Sequence, residues 1–126
     1  MTSEELAALC AKAAGSKQAV DIVALDMRDI STFTDFFVIC SGTSEPHLKA
    51  IAGEIEDLVR KTDGTRPTAV DGRPLSQWIV LDYGNVVVHI FHQAKREFYS
   101  LENFWGDAPR LALPENEPVR NPHQQD

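Results

Sequence analysis

The sequence has few cysteines and no long apolar run, which excludes several classes of protein. Its two cysteines, Cys10 and Cys40, are too few for a disulfide scaffold and lack the C-x-x-C spacing of zinc and redox sites, so we expect two buried thiols. No apolar run approaches the ~20 residues that cross a bilayer. The first residues, MTSEELAALC, carry acids where a signal peptide carries Lys or Arg. We therefore expect a cytoplasmic protein without a membrane partner.

Basic residues are also scarce. The 126 residues include 12 Lys and Arg against 19 Asp and Glu, a net charge of −7. Nucleic-acid binding depends mainly on neutralising phosphates with basic side chains, so we do not expect DNA or RNA as the main direct ligand. The length and the 43% of hydrophobic residues fit one globular domain with a real core.

The N-terminal quarter predicts a helix followed by a strand. Thr2 and Glu5 have the spacing of a capping box, and the apolar stripe that follows predicts a helix that ends at Gly15. Residues 20–27 (VDIVALDM) carry apolar side chains on both faces. This pattern is typical of a central strand that is covered on both sides.

A second strand and a second helix follow. Residues 35–40 (DFFVIC) predict another strand with two buried faces. Thr43 or Ser44 can cap the next helix, with Pro46 in its first turn. An apolar stripe then continues to the helix stop at residues 63–64, which are Asp-Gly.

The second half predicts a hairpin. Residues 66–75 carry two prolines and form an edge strand or a loop. Residues 77–83 and 86–91 are apolar runs joined by Gly84-Asn85, a two-residue connection of the kind that type II′ turns prefer. We therefore predict two antiparallel strands here.

The C-terminal part predicts one more helix and then a tail. Ala94, Phe98, Leu101 and Trp105 form an apolar stripe at helical spacing. Residues 107–126 hold four of the seven prolines and little apolar material, so we expect a disordered, Pro-rich acidic tail. The prediction is one α/β domain over residues 1–106, with a mixed sheet of about five strands flanked by at least three helices.

The sequence does not provide the residues of a nucleotidyltransferase active site. That chemistry needs two carboxylates on one strand face to hold magnesium. Asp26 and Asp29 are an odd number of residues apart, which sends them to opposite faces of a continuing strand. The turn SGTSEP can present N–H groups to an anion but has no Lys, as a phosphate-binding loop would. We expect no cofactor and no catalysis.

The sequence also lacks the residue patterns of a metal site and of a hydrolase active site. His89 and His92 point to opposite faces of one predicted strand, and His47 lies on a different helix. No G-x-S-x-G nucleophile context is present. We therefore predict no metal site.

The strings ALDMRDISTFTDFFVICSGTS, WIVLDYGNVVVHIF and REFYSLENFW, in this order, resemble the ribosomal silencing factor (Iojap) family over about residues 3–105. The resemblance implies an α/β domain similar to the nucleotidyltransferase fold but without known catalysis. It implies binding of ribosomal protein fourteen of the large subunit, which blocks subunit association and lowers translation under nutrient limitation. It also implies a homodimer. A degenerate nucleotidyltransferase and a structural dimer with another client remain alternatives.

The hairpin carries the predicted contact residues. Trp78 and Asp82 share a strand face by parity, and Tyr83 lies beside the turn. Trp and Tyr are enriched among binding anchors, and a carboxylate suits a basic partner. Trp78 could instead pack in the core, but the resemblance favours a contact role.

Four further residues complete the predicted contact set on weaker grounds. Leu81 and Asn85 belong to the same hairpin. Arg96 and Tyr99 lie off the apolar stripe of the last predicted helix and are expected to be exposed, as ordinary helix surface also is.

Overall fold

A computed structural model describes residues 1–72, 77–94 and 109–113. These residues form one five-stranded sheet with the strand order β1-β2-β5-β4-β3. β2 and β5 are parallel, and the other three pairs are antiparallel. The predicted mixed α/β sheet is therefore confirmed. The elements are α1 (Ser3–Ser16), β1 (Val20–Asp26), β2 (Phe36–Gly42), α2 (Glu45–Asp63), β3 (Ala69–Asp71), β4 (Trp78–Asp82) and β5 (Val86–His92).

Both described helices begin at the predicted caps. The Glu5 N–H donates to Thr2 Oγ1 at 3.0 Å, and the Thr2 N–H donates to Glu5 Oε1 at 2.8 Å, which completes the capping box. α1 continues one residue past Gly15. In α2 the cap is Ser44, whose Oγ accepts the N–H of the residue three positions later at 3.2 Å. Gly64 ends α2 in the left-handed conformation, with φ at 73°.

The position of β1 differs from the prediction. β1 is an edge strand and pairs with β2 alone among the described strands. Both faces of β1 are apolar for a reason other than a central position in the sheet. Ala24 packs into the cluster on the side of the helices, and Leu25 packs into a second cluster on the opposite side of the sheet. An edge strand between two apolar layers therefore has the same sequence pattern, with apolar residues on both faces, as a central strand.

Residues 109–113 lie along the outer edge of β1. The Asp26 N–H donates to the Pro109 carbonyl at 2.7 Å, and the Leu111 N–H donates to the Ala24 carbonyl at 2.8 Å. Leu113 is 8% exposed and belongs to the helix-side cluster. Over these five residues the structure differs from the expected disordered tail, because a short extended segment satisfies an open strand edge and buries a leucine. The boundary between domain and tail stays a prediction.

Alternate residues of the strands divide the core into two clusters. The helix-side cluster joins α1 and α2 to one face of the sheet and contains both cysteines. The opposite-face cluster consists of buried side chains that follow the other strand parity, namely Leu25, Met27, Phe37, Ile39 and Phe91. Trp78 packs against this second cluster.

The predicted last helix over residues 94–105 lies almost entirely outside the described residues. Within the described ranges, no helix is long and apolar enough to span a membrane.

Candidate protein-contact site

The β4–β5 hairpin forms as predicted. The Tyr83 N–H donates to the Val86 carbonyl at 2.9 Å and closes a two-residue turn. Gly84 has a φ of 88° while Asn85 keeps a negative φ, which is the pattern of a type II′ turn. The Gly84 N–H also donates to Asp82 Oδ1 at 2.8 Å, so the carboxylate helps to fix the turn.

Trp78 is partly buried and takes part in the opposite-face cluster. Its ring stacks on Phe91 with the centroids 4.9 Å apart, and its Nε1–H donates to His89 Nδ1 at 3.3 Å. The indole therefore has packing partners within the chain and also keeps some accessible surface. One part of the large ring packs in the cluster while another part stays exposed, and the contact role of Trp78 stays a prediction.

Strand parity separates the other predicted contact residues. Asp82 is partly buried on the same side as Trp78, whereas Leu81 and Tyr83 point toward the helices and are 0% and 7% exposed. Leu81 has no surface left for a partner, so its predicted contact role conflicts with its place in the core. The sequence could have predicted this division, since Leu81 and Tyr83 have the strand parity opposite to Trp78 and therefore lie on the other face.

Tyr83 is a buried and neutral group. Its hydroxyl has no hydrogen-bond partner among the described residues. Burial raises the pKa of Tyr83 above its usual value, and the nearby Cys10 and Glu56 add to the increase. Burial also raises the pKa of Cys10 to about 12. The thiol and the phenol are therefore both protonated at neutral pH, and neither is an activated nucleophile.

His89 lies in the same aromatic layer as Trp78. Its ring makes an edge contact with Phe37 at a centroid distance of 4.8 Å, and its Nε2 has no hydrogen-bond partner among the described residues. Burial lowers the pKa of His89 to about 4, although the Asp82 carboxylate opposes the shift. His89 is therefore a neutral acceptor for the Trp78 N–H at physiological pH.

Asn85 has a structural role that the sequence did not reveal. Its Nδ2 donates to Ser3 Oγ at 2.9 Å, and Ser3 Oγ donates to Asp35 Oδ2 at 2.6 Å. The Asn85 carbonyl also accepts the N–H groups of Asp35 and Phe36 at 2.9 and 3.2 Å. The turn is thereby tied to the start of α1 and to the chain before β2. These partners are 82 and about 50 residues away, so no local pattern could have shown them.

Asp26 and His47, which were considered from the sequence as metal ligands, have partners within the chain. Asp26 forms an ion pair with Arg28, with 2.6 Å between Oδ2 and Nη2, and the hydrogen bond from Arg28 lowers the pKa of Asp26. His47 Nδ1 accepts the Thr43 N–H at 2.9 Å, and its Nε2 lies 2.7 Å from the Lys17 carbonyl. In the part of the chain that the structure describes, no three His, Cys, Asp or Glu side chains converge to hold a metal. Arg96 and Tyr99 lie outside the described residues.

Comparisons with known proteins extend over nearly the whole chain. Residues 1–126 match the family described as "Ribosomal silencing factor during starvation". A ribosomal silencing factor from Halalkalibacterium halodurans is 41% identical over 113 residues, which are 90% of this chain and 96% of that protein. A mouse protein named "Mitochondrial assembly of ribosomal large subunit protein 1" is 31% identical over 71% of this chain and 40% of its own length.

A solved structure of a Chromobacterium violaceum protein is similar in fold. It has a TM-score of 0.79 and 27% identity, and the likeness covers 84% of this chain and 88% of that one. Sequence and fold agree over the same large share of the chain, and the chain therefore belongs to the ribosomal silencing factor family.

Proposed function

We propose that this chain is a translational repressor that binds the large ribosomal subunit and sterically blocks its association with the small subunit. The observation that carries the proposal is the match of residues 1–126 to the silencing factor family. The name of the mouse relative, which refers to the ribosomal large subunit, supports the choice of subunit. The proposed partner on that subunit is ribosomal protein fourteen, as the family resemblance implies.

The proposed mechanism is occlusion rather than catalysis. A repressor of this kind covers a surface that must be free for subunit joining, and no bond is made or broken. In the structure Asp26 pairs with Arg28, and both ring nitrogens of His47 contact backbone groups, so each of these side chains has a structural role. The cytoplasm is the proposed location, because the similar Halalkalibacterium halodurans protein is bacterial and the subunits of bacterial ribosomes join there.

The proposed contact surface is centred on the hairpin. Its central residues are Trp78, Asp82 and Asn85, all of which keep accessible surface. Trp78 supplies an aromatic anchor that is already held by Phe91, and Asp82 supplies a carboxylate for a Lys or Arg of the partner. An anchor fixed in the free protein loses little conformational entropy on binding. Arg96 and Tyr99 stay in the proposed contact set.

The acidity of the chain favours the same kind of partner. A net charge of −7 attracts a basic ribosomal protein over distances of about one Debye length, ~8 Å at physiological salt. The same charge repels free RNA backbone. We therefore propose a protein contact on the ribosome. We also propose a homodimer as the free form, as the family resemblance implies.

A retention experiment tests the choice of subunit. The chain is immobilised and incubated with purified large and small subunits in separate reactions. We expect large subunits to be retained and small subunits to pass through. Retention of both, or of small subunits alone, would contradict the proposal. A rise in melting temperature with magnesium and a nucleotide, in the absence of subunits, would instead support the nucleotidyltransferase alternative.

A further inference from the structure

The loop between β1 and β2, residues 27–35, exposes two large apolar side chains. Phe33 is 78% exposed and Ile30 is 45% exposed. The described part of the chain has only two other large hydrophobic residues that are exposed, Met1 at the N-terminus and Val70 on β3. Ile30 and Phe33 are three residues apart in one loop, whereas Met1 and Val70 stand alone, and single exposed apolar side chains are ordinary on a protein surface.

Hydrogen bonds hold this loop in a defined conformation. Ser31 Oγ accepts the N–H groups of Phe33 and Thr34 at 3.2 and 3.3 Å. The Met27 carbonyl accepts the N–H groups of Ile30 and Ser31 at 3.0 and 2.7 Å. Met27 and Thr34, at the two ends of the loop, are 1% and 4% exposed. Phe33 is therefore presented to solvent by an ordered turn with a buried base, so little ordering entropy is lost when it binds.

The same loop is joined to the hairpin turn. Asp35, two residues after Phe33, donates its N–H to the Asn85 carbonyl at 2.9 Å and accepts the Ser3 hydroxyl at 2.6 Å. Ser3 in turn accepts from the Asn85 amide at 2.9 Å. The loop and the Gly84-Asn85 turn therefore lie at one end of the sheet and are tied together. A partner that covers Asp82 and Asn85 would have the loop immediately beside it.

The charges at this end of the sheet indicate what kind of partner fits. Arg28 is the one cation of the loop, and it already pairs with Asp26. The hydrogen bond from Arg28 to Asp26 raises the pKa of Arg28, and the charges of Glu4 and Asp35 add to the increase, so the neighbours of this cation are acidic. Asp29 is exposed in the same loop. The apolar tip is therefore set in an acidic surface.

We propose that the loop of residues 27–35 is a second contact with the partner of the hairpin, in which Phe33, with Ile30 beside it, enters an apolar depression on a basic protein surface. This inference rests on the proposed function, because it assigns a further contact to the same ribosomal partner. The charge argues against a second copy of the chain. A symmetric dimer through this end would place acidic surface against acidic surface.

Substitution of Phe33 tests the loop contact. Phe33→Ala removes the exposed ring, and Phe33→Leu keeps an apolar side chain. Val70→Ala is the matched control, because Val70 is 56% exposed on β3 at the far edge of the sheet. None of these changes opens a cavity, so each melting temperature should stay within about 2 °C of the parent protein.

The binding measurement is the dissociation constant for purified large subunits. We expect Phe33→Ala to raise it roughly tenfold or more, Phe33→Leu to recover part of the loss, and Val70→Ala to change it by less than about twofold. If the parent protein binds large subunits and Phe33→Ala binds equally well, the loop contact is refuted while the proposed function stands. If the parent protein does not bind at all, the proposed function fails. If Phe33→Ala instead converts a dimer to a monomer and leaves subunit affinity unchanged, the loop is a contact between copies and the inference is wrong.

Discussion

Acid should destabilise this protein through His89. The folded-state pKa of about 4 lies below the usual value of 6.5, because burial disfavours the charged ring. Between these two values the unfolded chain binds more protons than the folded chain. The contribution of His89 to the free energy of unfolding is therefore fully present above pH ~6.5 and is lost as the pH falls toward 4.

The size of the effect follows from the difference between the two pKa values. A separation of about 2.5 units corresponds to roughly 3 kcal/mol in total, and about 2 kcal/mol of this is lost by pH 5. Since His89 is only 8% exposed, solvent screens this effect weakly. The measurement is urea unfolding at pH 7.5 and at pH 5, which gives the free energy of unfolding at each pH.

The control is His89→Phe, which replaces the titrating ring by an apolar ring among Phe37, Trp78 and Phe91. Other groups titrate in both proteins, so the difference between their pH dependences isolates His89. We expect the parent protein to lose about 2 kcal/mol more than the variant over this range. Equal losses, or an NMR titration of His89 with a midpoint near 6.5, would show that His89 is not the source of the acid sensitivity.

Three other predictions concern the hairpin, the β1 edge and the charge of the chain. Trp78→Ala should weaken large-subunit binding roughly thirtyfold and should cost less stability than Phe37→Ala, because Phe37 is 7% exposed and its truncation should cost about 3–5 kcal/mol. Thermal melting measures the change in stability, and co-sedimentation measures the change in binding. A Trp78→Ala protein that melts as early as Phe37→Ala and still binds normally would show that Trp78 belongs to the core alone. Leu113→Ala should lower the free energy of unfolding by about 2 kcal/mol, because the side chain is 8% exposed in the helix-side cluster; an unchanged urea midpoint would mean that the strand-edge segment is not stably docked. Added salt should slow association with large subunits in stopped-flow measurements, and a rate that is independent of salt would leave apolar anchoring as the only source of binding.

The sequence predicted those parts of the fold that depend on local chemistry. The capping box of Thr2 and Glu5, the helix stop at Gly64 and the two-residue turn at Gly84 all formed as expected. Each of these depends on residues within a few positions of one another. Local geometry therefore determines them almost completely.

The errors arose where distant parts of the chain meet. β1 was expected in the centre of the sheet because both of its faces are apolar, yet strand order is set by pairing between segments far apart in sequence. The docking of residues 109–113 on β1 depends on a hydrogen-bonding edge about 85 residues earlier, and periodicity cannot show such an edge. The prolines and the low apolar content predicted disorder, but two backbone hydrogen bonds and one buried leucine dock these residues on the domain.

The predicted contact residues of the hairpin divide into accessible and buried ones. Trp78, Asp82 and Asn85 lie together on the hairpin and remain accessible, whereas Leu81 and Tyr83 are buried toward the helices. Strand parity already separated these two groups. The exposed Phe33 was missed, because a single aromatic residue in a loop has no periodicity that distinguishes an exposed ring from a packed one.

The rate of subunit joining is the decisive measurement of the proposed occlusion. Large subunits are incubated with the chain and then mixed with small subunits, and light scattering follows the formation of complete ribosomes. We expect joining to be suppressed in proportion to the occupied large subunits, and the same amount of chain added to complete ribosomes after joining to have a much smaller effect. Undiminished joining by large subunits that demonstrably carry the chain would contradict the account.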